Sequence, residues 1–140
     1  MTYCDLKVVN LVINFNDTKQ IYAVLCLCRS APNLEELIIK ACNKVETLLL
    51  LTVPFWEGQV CKEGDIFHHL KTVSLSDFKG GYNQLGIAEF ILLNSVVLET
   101  LNIEWKRSIK ADKKLLRVLE QMMQFKRSST EAKVVFSGLS

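Results

Sequence analysis

Cys61 and the adjacent pair His68-His69 are the residues of this chain that most resemble a nucleophile and a base. Cys61 lies seven residues before His68, and a thiol beside an imidazole is the arrangement of an activated cysteine nucleophile. The histidines directly precede a predicted strand, whereas Cys61 lies in a segment without clear periodicity, so nothing in the sequence fixes their geometry. We expect the histidines to be partly exposed loop residues, and a hydrolase built on Cys61 and His68 is the least favoured function.

Other catalytic motifs are missing from the sequence. Lys79-Gly80-Gly81 lacks the spacing of a phosphate-binding loop and the Lys-Ser/Thr that follows it, so it predicts a turn. No H-E-x-x-H motif, G-x-S-x-G motif or pair of catalytic carboxylates is present. The sequence therefore predicts a protein that is not an enzyme and needs no cofactor.

The cysteines also give little support to a metal site. There are five, an odd number without disulfide-framework spacing, at positions 4, 26, 28, 42 and 61. Cys26 and Cys28 lie on a predicted helix, where residues two apart face different sides, so a buried structural thiol is favoured over zinc. We expect reduced cysteines, no metal, and a cytoplasmic or nuclear location.

A repeated apolar pattern indicates which elements hold the chain together. Four segments place apolar residues at their first, fourth and sixth positions, and 28 positions separate Leu6 from Leu34 and Leu70 from Leu98. This is the strand signature of leucine-rich repeats, which stack because one unit cannot bury its own apolar face. The segments are Leu6-x-x-Val9-x-Leu11, Leu34-x-x-Leu37-x-Ile39, Leu70-x-x-Val73-x-Leu75 and Leu98-x-x-Leu101-x-Ile103.

Helical spacing alternates with these strands. Asp17 is a predicted N-cap, with Gln20 three residues on, and Ala31-Pro32-Asn33 ends that helix. Its predicted buried stripe is Ile21, Val24, Leu25 and Cys28, and that of the next helix is Leu85, Ala88, Leu92 and Ser95. We predict an α/β leucine-rich-repeat solenoid fragment, with alternating strands and helices and a mainly parallel, curved sheet.

The last part of the chain should close the array. Asp112 is the predicted cap of a final helix, and a closing strand, Lys133-Val134-Val135-Phe136, should cover the open end. Leu34 and Leu70 are 36 positions apart, eight more than the other spacings, which implies an insertion, and Phe55-Trp56 within it is expected to pack as an aromatic plug. The expected buried face of the final helix comprises Leu115, Leu116, Leu119, Met122 and Met123.

Size and charge limit the possible classes of protein. The 140 residues suit one domain, and no apolar stretch approaches the roughly 20 residues of a membrane span. Residues 1–105 hold 8 Lys/Arg and 12 Asp/Glu, a net charge of −4, while residues 106–140 hold 9 and 3, a net charge of +6. A basic end can contact RNA or an acidic protein, but this one lacks interleaved aromatic residues for base stacking, so nucleic-acid binding is not favoured.

Several short motifs occur in fixed order over nearly the whole chain. They are Cys28-Arg29-Ser30-Ala31-Pro32-Asn33-Leu34-Glu35-Glu36-Leu37, Phe55-Trp56-Glu57, His69-Leu70-Lys71-Thr72-Val73, Phe90-Ile91-Leu92-Leu93-Asn94-Ser95, Val97-Leu98-Glu99, and Phe125-Lys126-Arg127-Ser128-Ser129 with Ala132 and Val134. Together these motifs resemble plant F-box/FBD/LRR-repeat proteins. Val96 departs from the pattern of that family, in which a proline is frequent at this position.

The resemblance implies a leucine-rich-repeat segment at residues 1–55 and an FBD domain at 56–140 that continues the same solenoid. In such proteins an N-terminal F-box binds a Skp-type adaptor of a ubiquitin ligase, and the repeats are thought to present the substrate. No F-box precedes the repeats in this sequence, so we expect no adaptor binding by this chain. The expected function is non-enzymatic substrate recognition, with a basic RNA-associated scaffold as the alternative.

The partner should bind the strand residues that point away from the core. Because side chains alternate along a strand, the positions between the inward residues should form one continuous patch, in which Ile38 should be exposed. The predicted partner-binding residues are Val8, Asn10, Val12, Glu36, Ile38, Lys40, Thr72, Ser74, Ser76, Thr100, Asn102 and Glu104.

Overall fold

A computed structural model describes residues 3–15, 17–42, 66–105 and 113–137. In these residues, strands and helices alternate along the chain. The strands are β1 (Val8–Ile13), β2 (Glu36–Ala41), β3 (Thr72–Phe78), β4 (Thr100–Trp105) and β5 (Lys133–Ser137). The helices are α1 (Thr18–Ser30), α2 (Tyr82–Asn94) and α3 (Lys113–Met123).

The five strands form one parallel sheet in the order β1-β2-β3-β4-β5. Each strand therefore pairs with the next strand in the sequence, and all four pairings are parallel. Parallel neighbours need a crossover connection, and helices supply it between β1 and β2, between β3 and β4, and between β4 and β5. The α/β class, with alternating strands and helices, is confirmed.

The inward side of the sheet is apolar, as the alternation predicts. Leu37 and Leu101, which occupy the fourth position of their L-x-x-L-x-L segments, are 1% and 0% exposed. They belong to one row of registered residues that runs across the sheet through Val9, Leu37, Val73, Leu101 and Val134. A single continuous core therefore lies between the sheet and the helices.

Backbone hydrogen bonds join the chain just before each strand in the same way. The carbonyl of Lys7 accepts bonds from the N–H groups of Glu35 and Glu36, at 2.7 and 3.0 Å. The carbonyl of Glu35 accepts from Lys71 and Thr72, that of Lys71 from Glu99 and Thr100, and that of Glu99 from Lys133. The residue at the second position of each L-x-x-L-x-L segment thus has the same backbone role in successive units.

Helix α1 agrees with its prediction. The Asp17 carboxylate accepts a bond from Lys19 N–H at 2.9 Å, and Gln20 Nε2 donates to it at 3.3 Å. The predicted stripe is buried, and the helix ends at Ser30, before the predicted stop. The buried residues are Ile21, Val24, Leu25 and Cys28.

Helix α2 begins at the predicted glycine turn. Gln84 Oε1 accepts bonds from the N–H groups of Lys79, Gly80 and Gly81, at 2.7, 3.0 and 3.4 Å. These are the groups that would face an anion in a phosphate-binding loop, and here a side-chain carbonyl satisfies them. Gly80 has φ 76°, and a Cβ there would lie 2.7 Å from Val118 Cγ2, so both the conformation and the space require glycine. The predicted stripe of α2 is buried.

Helix α3 differs from its prediction. Leu116 and Met123, expected on its buried face, are 61% and 74% exposed, whereas Val118 and Met122 are buried. Leu116 and Met123 are seven residues apart and so share one flank of the helix. Among the described residues, no other helix or strand covers that flank.

The predicted closing strand is present as β5, but some predictions lie outside the described residues. These concern the Asp112 cap, the Phe55-Trp56 plug, Cys61, and the first part of the basic end, which contains Lys106, Arg107 and Lys110. Among the described helices, none has the length and apolar content needed to cross a membrane.

Candidate protein-interaction surface

The side chains on the outward side of the sheet form one surface, which we call the open face. The twelve residues predicted as a partner site all lie on it, because strand register brings them into adjacent rows. The first row is Val8, Glu36, Thr72 and Thr100; the second is Asn10, Ile38, Ser74 and Asn102; the third contains Val12, Lys40, Ser76 and Glu104. Partner binding by this surface stays a prediction.

The central strand of the open face is polar, and the outer strand β1 exposes two valines. The central strand β3 contributes the hydroxyl groups of Thr72, Ser74 and Ser76, all partly buried by their neighbours. On the outer strand β1, Val8 and Val12 are 54% and 65% exposed. A partner would therefore meet hydroxyl donors and acceptors in the middle and exposed valines at the side.

Ile38 is a correction to the predicted surface. It was expected to be exposed, but it is only partly exposed. Its registered neighbours, Asn10 on β1 and Ser74 on β3, flank it on both sides. Side chains of adjacent strands lie close enough to cover one another, so the middle of a sheet is less accessible than its edge.

The open face also contains a β-bulge in β3 that was not predicted. Leu75 pairs with Ile103 and Phe78 with Trp105, so β3 has one more residue than β4 between these pairs. The extra residue forms a bulge, and Asp77 there adopts φ 55°. The Asp77 carboxylate lies 4.0 Å from Lys40 Nζ, which adds an exposed ion pair to the third row.

The sequence contained a signal for the bulge in β3 and for a fifth strand, β5, in the open face. Inward apolar residues recur two apart on β4, at Leu101, Ile103 and Trp105, but β3 has Val73, Leu75 and then Phe78, one position late. That delay indicates a bulge. Applying the same alternation to the predicted closing strand would also have extended the face by one more strand, with Lys133, Val135 and Ser137.

The residues considered for catalysis are not assembled into a site within the described structure. His68 and His69 are both exposed, and Cys61 lies outside the described residues. Burial raises the pKa of the Cys28 thiol to about 12, which disfavours the nucleophilic thiolate. The four described cysteines are free, and no three metal-ligating side chains cluster in the described ranges.

The open face is thus built from repeated strand units, and one of these units also has a recognisable sequence. Residues 66–103 match the FBD family model. This chain of 140 residues therefore contains a segment similar to FBD, an F-box-associated domain. No curated protein and no solved structure matches the chain.

The FBD-like segment corresponds to a defined part of the fold. It contains β3, α2 and most of β4, and so includes the hydroxyl groups of Thr72, Ser74 and Ser76 and the bulge of the open face. Phe67 at its start is bridged to Ser95 after α2 and lies edge-on to Phe90, with ring centres 6.2 Å apart. The match falls inside the segment predicted as the FBD domain, 56–140, while the predicted boundary at 55 lies outside the described residues.

Proposed function

We propose that this chain is a non-enzymatic protein-interaction module, a leucine-rich-repeat solenoid fragment that holds a protein partner on its open face. The observation that carries the proposal is the open face itself, in which five parallel strands expose registered rows of polar and apolar side chains. The similarity of residues 66–103 to an F-box-associated domain is consistent with an interaction role.

The solenoid part of the proposal is supported by repetition at two levels. The L-x-x-L-x-L segments recur along the sequence, and the residue after the first leucine accepts the backbone bonds of the next unit. A strand order that follows the sequence without interruption is the order of stacked repeats. Each repeat contacts only the repeats next to it, and the described helices pack on the inward side of the sheet. The outward side of the sheet is therefore open across all five strands.

The chemistry of the open face suits a protein partner. Its middle row carries the neutral residues Asn10, Ile38, Ser74, Asn102 and Val135, while charged residues lie in the rows on either side. Protein interfaces combine depletion of charge at the centre with a polar rim. A uniformly basic surface, by contrast, would favour nucleic acid.

The resemblance to plant F-box/FBD/LRR-repeat proteins suggests what the partner does. In our proposal the chain is the substrate-recognition half of a ubiquitin-ligase receptor, and the protein on the open face is the substrate. Adaptor binding is assigned to an F-box module and not to these repeats. Purified chain mixed with a purified Skp-type adaptor should show no saturable association at micromolar concentrations, which corresponds to about −8 kcal/mol.

The open face can be tested by placing charge on its middle row. Ile38→Arg with Asn102→Arg puts two guanidinium groups on the neutral row, and both side chains point away from the core. Capture of partners from plant extract, followed by mass spectrometry, should lose a defined set of proteins. The far-UV circular dichroism spectrum and the urea midpoint should stay unchanged.

A matched control keeps this test specific. Tyr22→Arg with Leu116→Arg adds the same charge at exposed positions on α1 and α3, away from the open face. This variant should keep the captured proteins. If instead both double variants capture the same set as the unmodified chain, the open face is not the binding surface.

A basic RNA-associated scaffold is the second candidate, and one observation favours it. Arg117, Lys126 and Arg127 are all exposed near the end of the chain. Exposed cations attract phosphate regardless of sequence. Treating the extract with ribonuclease separates the two candidates, because an RNA scaffold should lose its captured proteins and a direct protein receptor should keep them.

A further inference from the structure

The outer edge of β5 carries backbone groups that no described strand pairs with. Lys133 N–H donates to the Glu99 carbonyl of β4 at 3.0 Å. Within a planar trans peptide, the C=O and N–H groups point to opposite sides of the strand, so this bond fixes the direction of the others. The Ala132 carbonyl and both backbone groups of Val134 and Phe136 therefore point away from β4.

One of these outward groups already has a partner. In the earlier units, the carbonyls of Lys7, Glu35, Lys71 and Glu99 accept from the next strand. Ala132 is the registered counterpart of Glu99, since Lys133 pairs with Thr100, and its carbonyl accepts a 2.9 Å bond from Arg127 Nη1. The guanidinium of Arg127 thus occupies the place that the amides of a following repeat would take.

A groove lies beside this edge. Its walls include the apolar side chains of Met122, Met123, Val134 and Phe136, and its charged lining residues are the cations Arg127 and Lys133. Met123 is 74% exposed, so the groove is open to a ligand. No carboxylate is among the described residues that line it.

We propose that the outer edge of β5 and this groove bind an extended acidic segment of a partner protein by strand addition. The backbone of the segment pairs with Val134 and Phe136, while an apolar side chain enters the groove. A carboxylate of the segment accepts from Arg127, whose guanidinium has donors beyond the one bonded to Ala132, and a second carboxylate lies near Lys133.

Charge decides between this partner and a second copy of the chain. If β1 of another copy continued the sheet in register, its Lys7 would lie beside Ala132, where Arg127 already sits. The two cations would repel, and Arg127 would have to release the carbonyl. An acidic segment would be attracted by the cations, and because it pairs with Val134 and Phe136 it leaves the Arg127–Ala132 bond in place. Lys133 belongs to both the groove and the open face, but Ile38 and Asn102 do not line the groove, so variants of these two residues should leave peptide binding in place.

A synthetic peptide can test the edge directly. The probe is a labelled eight-residue peptide of alternating valine and glutamate, titrated into the full chain by fluorescence anisotropy. We expect saturable binding that an alternating valine-lysine peptide does not show. The same valine-glutamate peptide with every amide N-methylated keeps its charge but cannot pair with a strand, and its binding should be at least about tenfold weaker, or 1.4 kcal/mol.

Protein variants locate the site. Lys133→Met removes one cation of the groove but leaves the Arg127–Ala132 bond in place, and Arg127→Met removes the other. Each should weaken binding by roughly three- to tenfold, consistent with loss of a charge-assisted bond at an exposed position. Arg117→Met is the matched control, because Arg117 is exposed on α3 and does not line the groove. It should change binding by less than about twofold.

Three results would overturn the proposal. Equal binding of the methylated peptide would mean that the cations attract any polyanion without strand pairing. Concentration-dependent dimers that Lys133→Met or Arg127→Met strengthens, with no peptide binding, would assign the edge to a second copy. No binding at peptide concentrations of about 1 mM, or about −4 kcal/mol, would mean that the edge is not a recognition site.

Discussion

The interior unit, residues 66–103, and the terminal segment, residues 113–137, have similar apolar patterns but different burial. In the interior unit, Val73 and Leu101 are completely buried. Val134, which pairs with Leu101 in the same row, is only partly buried, and Val135 is 45% exposed. An alternating pattern therefore sets the direction in which side chains point, while the number of neighbouring units sets how far those side chains are buried.

The helices of the two regions differ for the same reason. Beyond its predicted stripe, α2 also buries Ile87, Phe90 and Ile91, because α1 and the segment after α3 contact it. Arg29 of α1 lies over the Phe90 ring at 5.6 Å, and Ser128 N–H donates to the Leu92 carbonyl at 3.0 Å. Helix α3 is less covered, because Leu116 and Met123 remain exposed while Val118 and Met122 are buried.

The largest expected difference concerns two phenylalanines that contact the same tryptophan. Phe78 is buried and meets Trp105 edge-on, with ring centres 5.2 Å apart, whereas Phe136 is partly exposed and stacks on Trp105 at 6.3 Å. Phe78→Ala should cost about 3 to 5 kcal/mol of unfolding free energy. Phe136→Ala should cost about 1 to 2 kcal/mol, since less apolar surface is lost. Urea unfolding measures both losses of unfolding free energy. Equal losses would contradict the expectation that the buried Phe78 stabilises the fold more than the partly exposed Phe136.

The registered pair Leu101 and Val134 gives a second test. Leu101→Ala should cost about 2 to 5 kcal/mol, and Leu37→Ala, also fully buried, should cost a similar amount. Val134→Ala should cost about 1 kcal/mol, because its side chain is smaller and partly exposed already. Losses below about 1 kcal/mol for both leucines would contradict the repeat assignment.

Ser129 tests the connection between the two regions. It is 4% exposed, and its Oγ donates to the Leu98 carbonyl at 2.7 Å, which joins the terminal segment to the turn before β4. Ser129→Ala leaves that carbonyl without its donor and should cost about 1 to 3 kcal/mol. Ser137→Ala, at an exposed position on β5, should change stability by less than about 0.5 kcal/mol. If the two serine variants unfold at the same urea concentration, this bond does not stabilise the junction.

Glu89 gives the smallest expected effect, and it depends on pH. Partial burial on α2 raises the pKa of the Glu89 carboxyl above its ordinary value of 4.5. The folded chain therefore binds a proton more tightly than the unfolded chain, and this contribution to stability is full below pH 4.5 and is lost as pH rises through the folded pKa. Glu89→Gln should match the unmodified chain in acid and be slightly more stable at neutral pH. A difference that is constant over this range would contradict the prediction.

Much of the candidate site followed from the sequence because strand geometry has a short, fixed period. The open-face residues of β1 to β4 were placed by counting two positions at a time from the inward leucines, and the register of adjacent strands then brought them together. The counting failed to show that Ile38 would be partly covered, because coverage depends on Asn10 and Ser74, which lie 28 and 36 positions away. Counting by two also gave no prediction of the bulge at Asp77, where one extra residue interrupts the period of the strand.

The sequence by itself determined the order of strands and helices, the inward side of each strand and the N-cap of α1 at Asp17, because these depend on residues close to one another along the chain. Only the tertiary structure decided the exposure of Leu116 and Met123, since an amphipathic helix is buried only as far as neighbouring units cover it. It also placed Arg127 on the Ala132 carbonyl. The apolar spacing that predicts β5 does not indicate this bond, because it depends on the Ala132 carbonyl pointing away from β4 and on the position of the Arg127 side chain.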